Sequence, residues 1–251
     1  MTLTAAGSPY TGSPTIEAGV TVNAEPGVTF KGGEINVNGT LKAEGTAEKP
    51  VLFTSTSDSA AGQWKGIAFN SGSSASIIDH AEVRYAGSFS NVPAIKINGV
   101  SPTITHSTVR NSTYWGIQVE GGGSPEIAHD EVLNNGRSGI IYSASTGNTG
   151  AINIHDNLVE GNSESGIFIS SPSTITGTSL GGNTVKGNGS TGINCTAADL
   201  PPDLAENTLS GNTLNYINFS GTLNQSATWT DHGFPLRGSL TIASAKTLTV
   251  G

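Results

Sequence analysis

Charge is scarce in this chain. Lys, Arg, Asp and Glu make up 12% of its 251 residues, about half the usual ~25%. The eleven Lys and Arg are scattered, and the formal net charge is −8. Phosphate binding needs a basic footprint, so nucleic acid is not an expected partner. Cysteine occurs once, as Cys195. That excludes an intramolecular disulfide and a Cys-based zinc site, and the expectation is a lone buried thiol. No apolar run reaches 18 residues, so no membrane span is expected. Runs of Leu, Glu, Lys and Arg at helical spacing are also missing, which argues against a bundle or a Rossmann sheet.

What fills the space is glycine, 34 of it, with abundant Ser, Thr and Asn. These residues suit short strands joined by tight turns. A phrase recurs through the middle: Ile-x-x-x-x-Val, a turn, then Gly-Ile-x-apolar. It reads Ile104 to Val109 and then Gly116-Ile117, Ile127 to Val132 and Gly139-Ile140, Ile154 to Val159 and Gly166-Ile167, Leu180 to Val185 and Gly192-Ile193. The anchors Ile67, Ile95, Ile117, Ile140, Ile167, Ile193 and Ile217 recur at a mean step of 25 residues. Three short strands and three turns use about that length. Each strand would pair in parallel with its equivalent one coil away, about 4.8 Å along the axis. The spacing predicts an all-β fold: a single-stranded right-handed parallel β-helix of three strands per coil. Its inward aliphatics stack like on like, each contributing about 1.5–3 kcal/mol. The Gly before each inward Ile is read as a sharp turn needing unusual backbone angles.

Two polar columns accompany the aliphatic ones. Three residues after the Ile or Leu anchor stand Ser107, Asp130, Asn157, Asn183 and Asn207. Three residues after the Val or Leu anchor stand Ser112, Asn135, Asn162, Asn188 and Asn212. Stacked amides bond one another along the axis, as they do in cross-β stacks, and Asn tolerates left-handed backbone.

The chain is expected to divide into opening coils at 1–58, regular coils at 59–228, and terminal strands at 229–251. The end, Leu240-Thr-Ile242 and Lys246 to Val250, echoes Thr15 to Val22 and stops at Gly251. A boundary or short cap is one reading; pairing with a neighbouring copy through Val20, Val22, Leu240, Ile242, Leu248 and Val250 is the other, because a solenoid end exposes unpaired edges.

Particular phrases resemble the pectin-lyase-like superfamily of right-handed parallel β-helix proteins, and more closely its bacterial and archaeal surface members. They are Glu25-Pro26-Gly27-Val28, Val37 to Thr46, Pro50 to Thr54, Trp64-Lys65-Gly66-Ile67 and Asp79 to Gly87. The resemblance implies the fold over nearly the whole chain. It leaves function open, since the superfamily spans lyases, hydrolases, epimerases, adhesins and passive surface proteins. An extracellular or cell-surface location is inferred from this resemblance and the composition; no signal peptide is read at the start.

In enzymes of the superfamily the site usually lies on the outer face of one sheet. The outward residues of the Gly-Ile-x strand are Ala68, Lys96, Gln118, Ile141, Phe168, Asn194 and Asn218. None is acidic. Glycoside hydrolysis needs two carboxylates and a calcium site several, so neither is expected there. Two other patterns invite function. His80, His106 and His129 sit two residues after successive anchors, with Asp156 next, and stacked rings about 5 Å apart would bind a metal, supply a base, or simply pack as a polar column. Tyr114, Trp115, Tyr142, Phe168 and Tyr216 fall in or beside consecutive strands. With Gln118, Asn194 and Asn218 they would form a sugar-binding strip, or else cover strand ends. The leading expectation is a non-catalytic extracellular structural solenoid, without cofactor, partnered by its own copies or adjacent surface modules. The alternative is a carbohydrate-active protein, an enzyme or a glycan-binding module.

Overall fold

Three parallel sheets run side by side along one axis in a computed structural model that describes residues 1–88, 90–144, 150–171, 179–197, 201–224, 226–229 and 233–251. The first sheet has seven strands, the second nine and the third eleven. Strands that are neighbours in a sheet come from successive coils; each coil as far as His155 contributes in turn to all three, and the later described coils to the second and third. Among the described residues the helical turns are two 3₁₀ segments, Ala5–Gly7 and Leu204–Glu206. The expected β-helix is therefore what the chain forms, and the strands of the first 58 residues pair in register with the coils that follow.

Register fixes the core. In the first sheet the inward column runs Leu3, Ala24, Ala43, Ile78, Ile104, Ile127, Ile154. In the second it begins with aromatics, Tyr10, Phe30 and Phe53, and continues as Val83, Val109, Val132, Val159, Val185 and Leu209. Phe30 and Phe53 stack at 4.8 Å and 8°, an offset that favours paired rings. In the third, Ile35, Ile67, Ile95, Ile117, Ile140, Ile167, Ile193, Ile217 and Leu236 form one column. Val37, Phe69, Ile97, Val119, Tyr142, Ile169, Cys195 and Phe219 form a second, two residues on in each strand, as the pleat requires. Cys195 is buried in that column and burial pushes its thiol up to about 12, which leaves it unreactive.

Gly116, Gly139 and Gly166, before the anchors Ile117, Ile140 and Ile167, are there for space more than for backbone angle, whereas Gly66 before Ile67 does take the expected left-handed angle, φ 102°. At Gly116 and Gly139 the angles are ones any residue adopts. An added Cβ would meet Val132 Cγ1 at 2.7 Å in the first case and Val159 Cγ1 at 2.6 Å in the second. The turn passes directly over the valine column of the next coil. Gly139→Ala is expected to cost about 1–3 kcal/mol through this overlap, read as a lower urea midpoint.

The left-handed backbone lies one residue before every ladder position but Asn207, which follows the 3₁₀ turn Leu204–Glu206, and the ladder residues themselves are free of it. In the turn from the first to the second sheet, His80, His106, His129, Asp156 and Gly182 all have φ between 47 and 66°. In the next turn the same job falls to Tyr85, Asn111, Asn134, Gly161, Gly187 and Gly211. Each such residue reverses the chain and lets its successor point inward. Both predicted amide columns then form. Asn157, Asn183 and Asn207 bond in series, as do Asn135, Asn162, Asn188 and Asn212, through Nδ2-to-Oδ1 contacts of 2.9–3.0 Å.

Candidate functional site

The first-to-second-sheet corner gathers four of the chain's five histidines, His80, His106, His129 and His155. Asp79 ends the strand Ile77–Asp79, and pairing places it level with Thr105, Ala128 and His155 in successive coils. The next residue in each coil is the left-handed one, giving the row His80, His106, His129, Asp156. Left-handed positions favour Gly, Asn, Asp and, among larger residues, His. The rings of His80 and His106 stack at 5.0 Å and 15°, those of His106 and His129 at 5.2 Å and 13°. The predicted histidine column therefore exists as a stack. His155 meets it edge-on, at 6.1 Å and 88°.

Carboxylates close both ends of the stack. Asp79 Oδ1 lies 3.0 Å from His80 Nδ1 and 3.0 Å from His106 Nδ1, and accepts the Thr105 hydroxyl at 3.1 Å. Burial works against the charge on Asp79, but bonds from His106 and His80 outweigh it and hold the carboxyl below its ordinary value. At the other end His155 Nδ1 lies 2.9 Å from Asp156 and its Nε2 2.8 Å from Glu126. Burial opposes the charge on His155, and the two carboxylates override it and raise its pKa. Asp156 thus serves His155 and the stack's far end, separate from the His80–His106 pair. Asp79 and His155 escaped the sequence reading because they lie one residue upstream of the column; the outward parity of the strand end was the available signal.

The aromatic strip is not assembled as expected. Tyr142 points inward, 1% exposed, between Val119 and Ile169, with its hydroxyl donated to the carbonyls of Gly123 and Gly150. Parity decides this: Ile140 is inward, so Tyr142 is too. Gln118 also offers no open contact, being 7% exposed, with its amide nitrogen on Glu120. The half-buried Tyr114 and Tyr216 have guanidinium groups over their rings, Arg137 at 5.5 Å and Arg237 at 4.8 Å. Trp115 and Phe168 are half-buried, and Asn218 donates to Asn194 at 3.1 Å. The acid-free row Ala68 to Asn218 is in register. Two residues further along that face stands Glu120, tied to Lys96 at 3.1 Å.

Ion pairs elsewhere repeat that coil-to-coil pattern. Lys65 pairs with Glu34, Arg110 with Glu82, Arg137 with Glu164 and Lys186 with Glu160. Arg84 bridges Asp58 and Glu82, and its hydrogen bond lowers the Asp58 pKa. Two apolar cavities lie at the ends of the stack. One of about 310 Å³ opens among Met1, Leu3, Ile16, Val20, Val22 and Phe30. Another, about 340 Å³, lies among Phe219, Trp229, Leu236, Leu240, Leu248 and Val250. Val22 is buried and paired with Leu41, and Leu248–Val250 pairs within the chain with Ala227–Trp229, so neither is a bare edge on both sides. Val20, Ile242 and Val250 remain exposed, at 42, 47 and 71%.

The model of the right-handed β-helix region family matches residues 18–214. The chain belongs to that family. Comparison with curated proteins and with solved structures finds no match. Membership alone selects no activity. Among the described residues of this β-helix protein, no helix is long and apolar enough to cross a membrane.

Proposed function

We propose that the chain is a non-catalytic structural solenoid of the cell surface or extracellular space, whose ends stack on further copies of itself. The observation that carries this is where the apolar exposure sits. Among the described residues, four of the five exposed large hydrophobics sit at the ends, Met1 and Val20 at one and Ile242 and Val250 at the other, each group beside an apolar cavity; the fifth is Leu214. The flank, by contrast, carries ion pairs between coils. A second copy is the occupant the ends favour, since a parallel coil edge is complementary to another such edge.

Sedimentation velocity tests it. The chain is expected to shift to larger species as concentration rises, and Val20→Glu with Val250→Glu is expected to keep it monomeric. A wild-type chain that stays monomeric at high concentration overturns the stacking. Depolymerisation of acidic polysaccharides by the wild-type chain overturns the non-catalytic reading. The rival, a glycan-binding module, rests on what is left of the strip, chiefly Trp115 and Phe168.

A further inference from the structure

We infer that Asp79, His80 and His106 form a binding site for one divalent transition-metal ion, at the corner between the first and second sheets. Asp79 Oδ1, His80 Nδ1 and His106 Nδ1 lie within 4.8 Å of one another. The Asp79–His separations of 3.0 Å are close to the edge of a tetrahedron, about 3.3 Å for metal–ligand bonds near 2.0 Å. The two nitrogens must draw nearer to each other. Rotation of the rings does this, and the side chains have room, being 32% and 51% exposed. Three protein ligands leave a fourth position to water, the pattern of an open site.

The donors are positioned by the backbone before any ion arrives. Asp79 ends a strand paired on both sides, with Lys42–Glu44 and with Thr103–Thr105. Both histidines are fixed by their left-handed turns, φ 47° and 48°. Thr105 Oγ1 donates to Asp79, the kind of support that orients a ligating carboxylate. The placement of histidine is a second observation. The chain has five histidines, and four of them, His80, His106, His129 and His155, fall in this one corner. The corresponding left-handed residues of the next turn are Tyr85, Asn111, Asn134, Gly161, Gly187 and Gly211, so the turn itself has no need of imidazole.

Two imidazoles and one carboxylate select Zn2+, Ni2+ or Cu2+ over Ca2+ and Mg2+, which take oxygen ligands. The site is independent of the structural role proposed above, because assembly uses the ends and this corner lies on the flank.

Isothermal titration of the full chain, free of any polyhistidine tag, with Zn2+ and with Ca2+ tests the inference. One equivalent of Zn2+ is expected to bind, and Ca2+ none. Asp79→Asn and His106→Ala are each expected to weaken Zn2+ binding at least tenfold, with circular dichroism confirming that the variants stay folded. His155→Ala is expected to leave that equivalent unchanged, which separates this site from the His155–Glu126–Asp156 group. With Cu2+, electron paramagnetic resonance is expected to report two nitrogen ligands. Absence of Zn2+ binding by the wild-type chain overturns the inference. So does binding that persists in the Asp79→Asn/His106→Ala double variant, or that is lost in His155→Ala.

Discussion

Asp130→Asn is expected to stabilise the fold by about 2–3 kcal/mol at pH 7, the scale of relieving a buried, unsatisfied polar group. Asp130 occupies a ladder position that Asn157, Asn183 and Asn207 fill in the next coils. Its Oδ1 behaves as an amide oxygen would, accepting the Ser107 N–H at 2.7 Å. Its Oδ2 has no partner among the described residues, and the residue is 1% exposed. In Asn157 the corresponding atom is Nδ2, which donates to the Ile127 carbonyl at 2.9 Å and to Asn183 Oδ1 at 3.0 Å. An ionised Asp130 would therefore set an oxygen where the ladder calls for a donor. A protonated acid restores the donor.

Burial is the main cause that pushes the Asp130 pKa well above 3.8; the Ser107 bond pulls it down, and the charge of Asp79 adds to the rise. The folded state thus holds the proton more tightly than the unfolded chain. The stabilisation is fully present below about 3.8 and is lost as pH rises through the folded value. Urea midpoints measured from about pH 4 to about pH 8 are expected to fall for the wild-type chain relative to Asp130→Asn, which lacks this slope. A variant no more stable than wild type at pH 7 would refute the donor argument.

The core was legible because a solenoid repeats its instructions. The Ile and Val anchors, spaced by one coil, named the inward columns of the regular coils, and the two Asn columns named the ladders. What failed to show was anything set by neighbours in space or by strand parity alone. Tyr142 looks like a surface aromatic until its even spacing from Ile140 is counted. Gln118 is outward by parity yet covered. The glycines before Ile117, Ile140 and Ile167 suggest special backbone angles, whereas the valine one coil on is what excludes a side chain; only Gly66, before Ile67, takes such an angle. The metal corner was half legible: the His column is a period in the sequence, but Asp79 joins it only because a left-handed turn folds His80 back beside it and the next coil brings His106 over the same carboxylate.

Asn134 and Asn135 make the sharpest case, since adjacent identical residues have opposite jobs. Asn134 is exposed and left-handed, φ 53°. Glycine adopts that angle freely, so Asn134→Gly is expected to change stability by no more than about 0.5 kcal/mol. Asn135 is 1% exposed. Its Oδ1 accepts the Ser112 N–H at 3.0 Å, and its Nδ2 donates to Asn162 Oδ1 at 3.0 Å and to the Val109 carbonyl at 3.3 Å. Asn135→Ala orphans the Ser112 N–H inside the turn and takes one of two partners from the Val109 carbonyl, at a cost of about 1–3 kcal/mol. Asn135→Asp keeps the acceptor and the volume but replaces the donor by an anion, which costs about 3–5 kcal/mol near neutral pH. That second loss is expected to shrink in acid, where the new carboxyl regains a proton to donate, while the Asn135→Ala loss does not depend on pH. Chemical denaturation of the three variants at acid and neutral pH measures all of this. Equal, pH-independent losses for the alanine and aspartate variants would mean that the column works by filling space, and that its amides are not needed as donors.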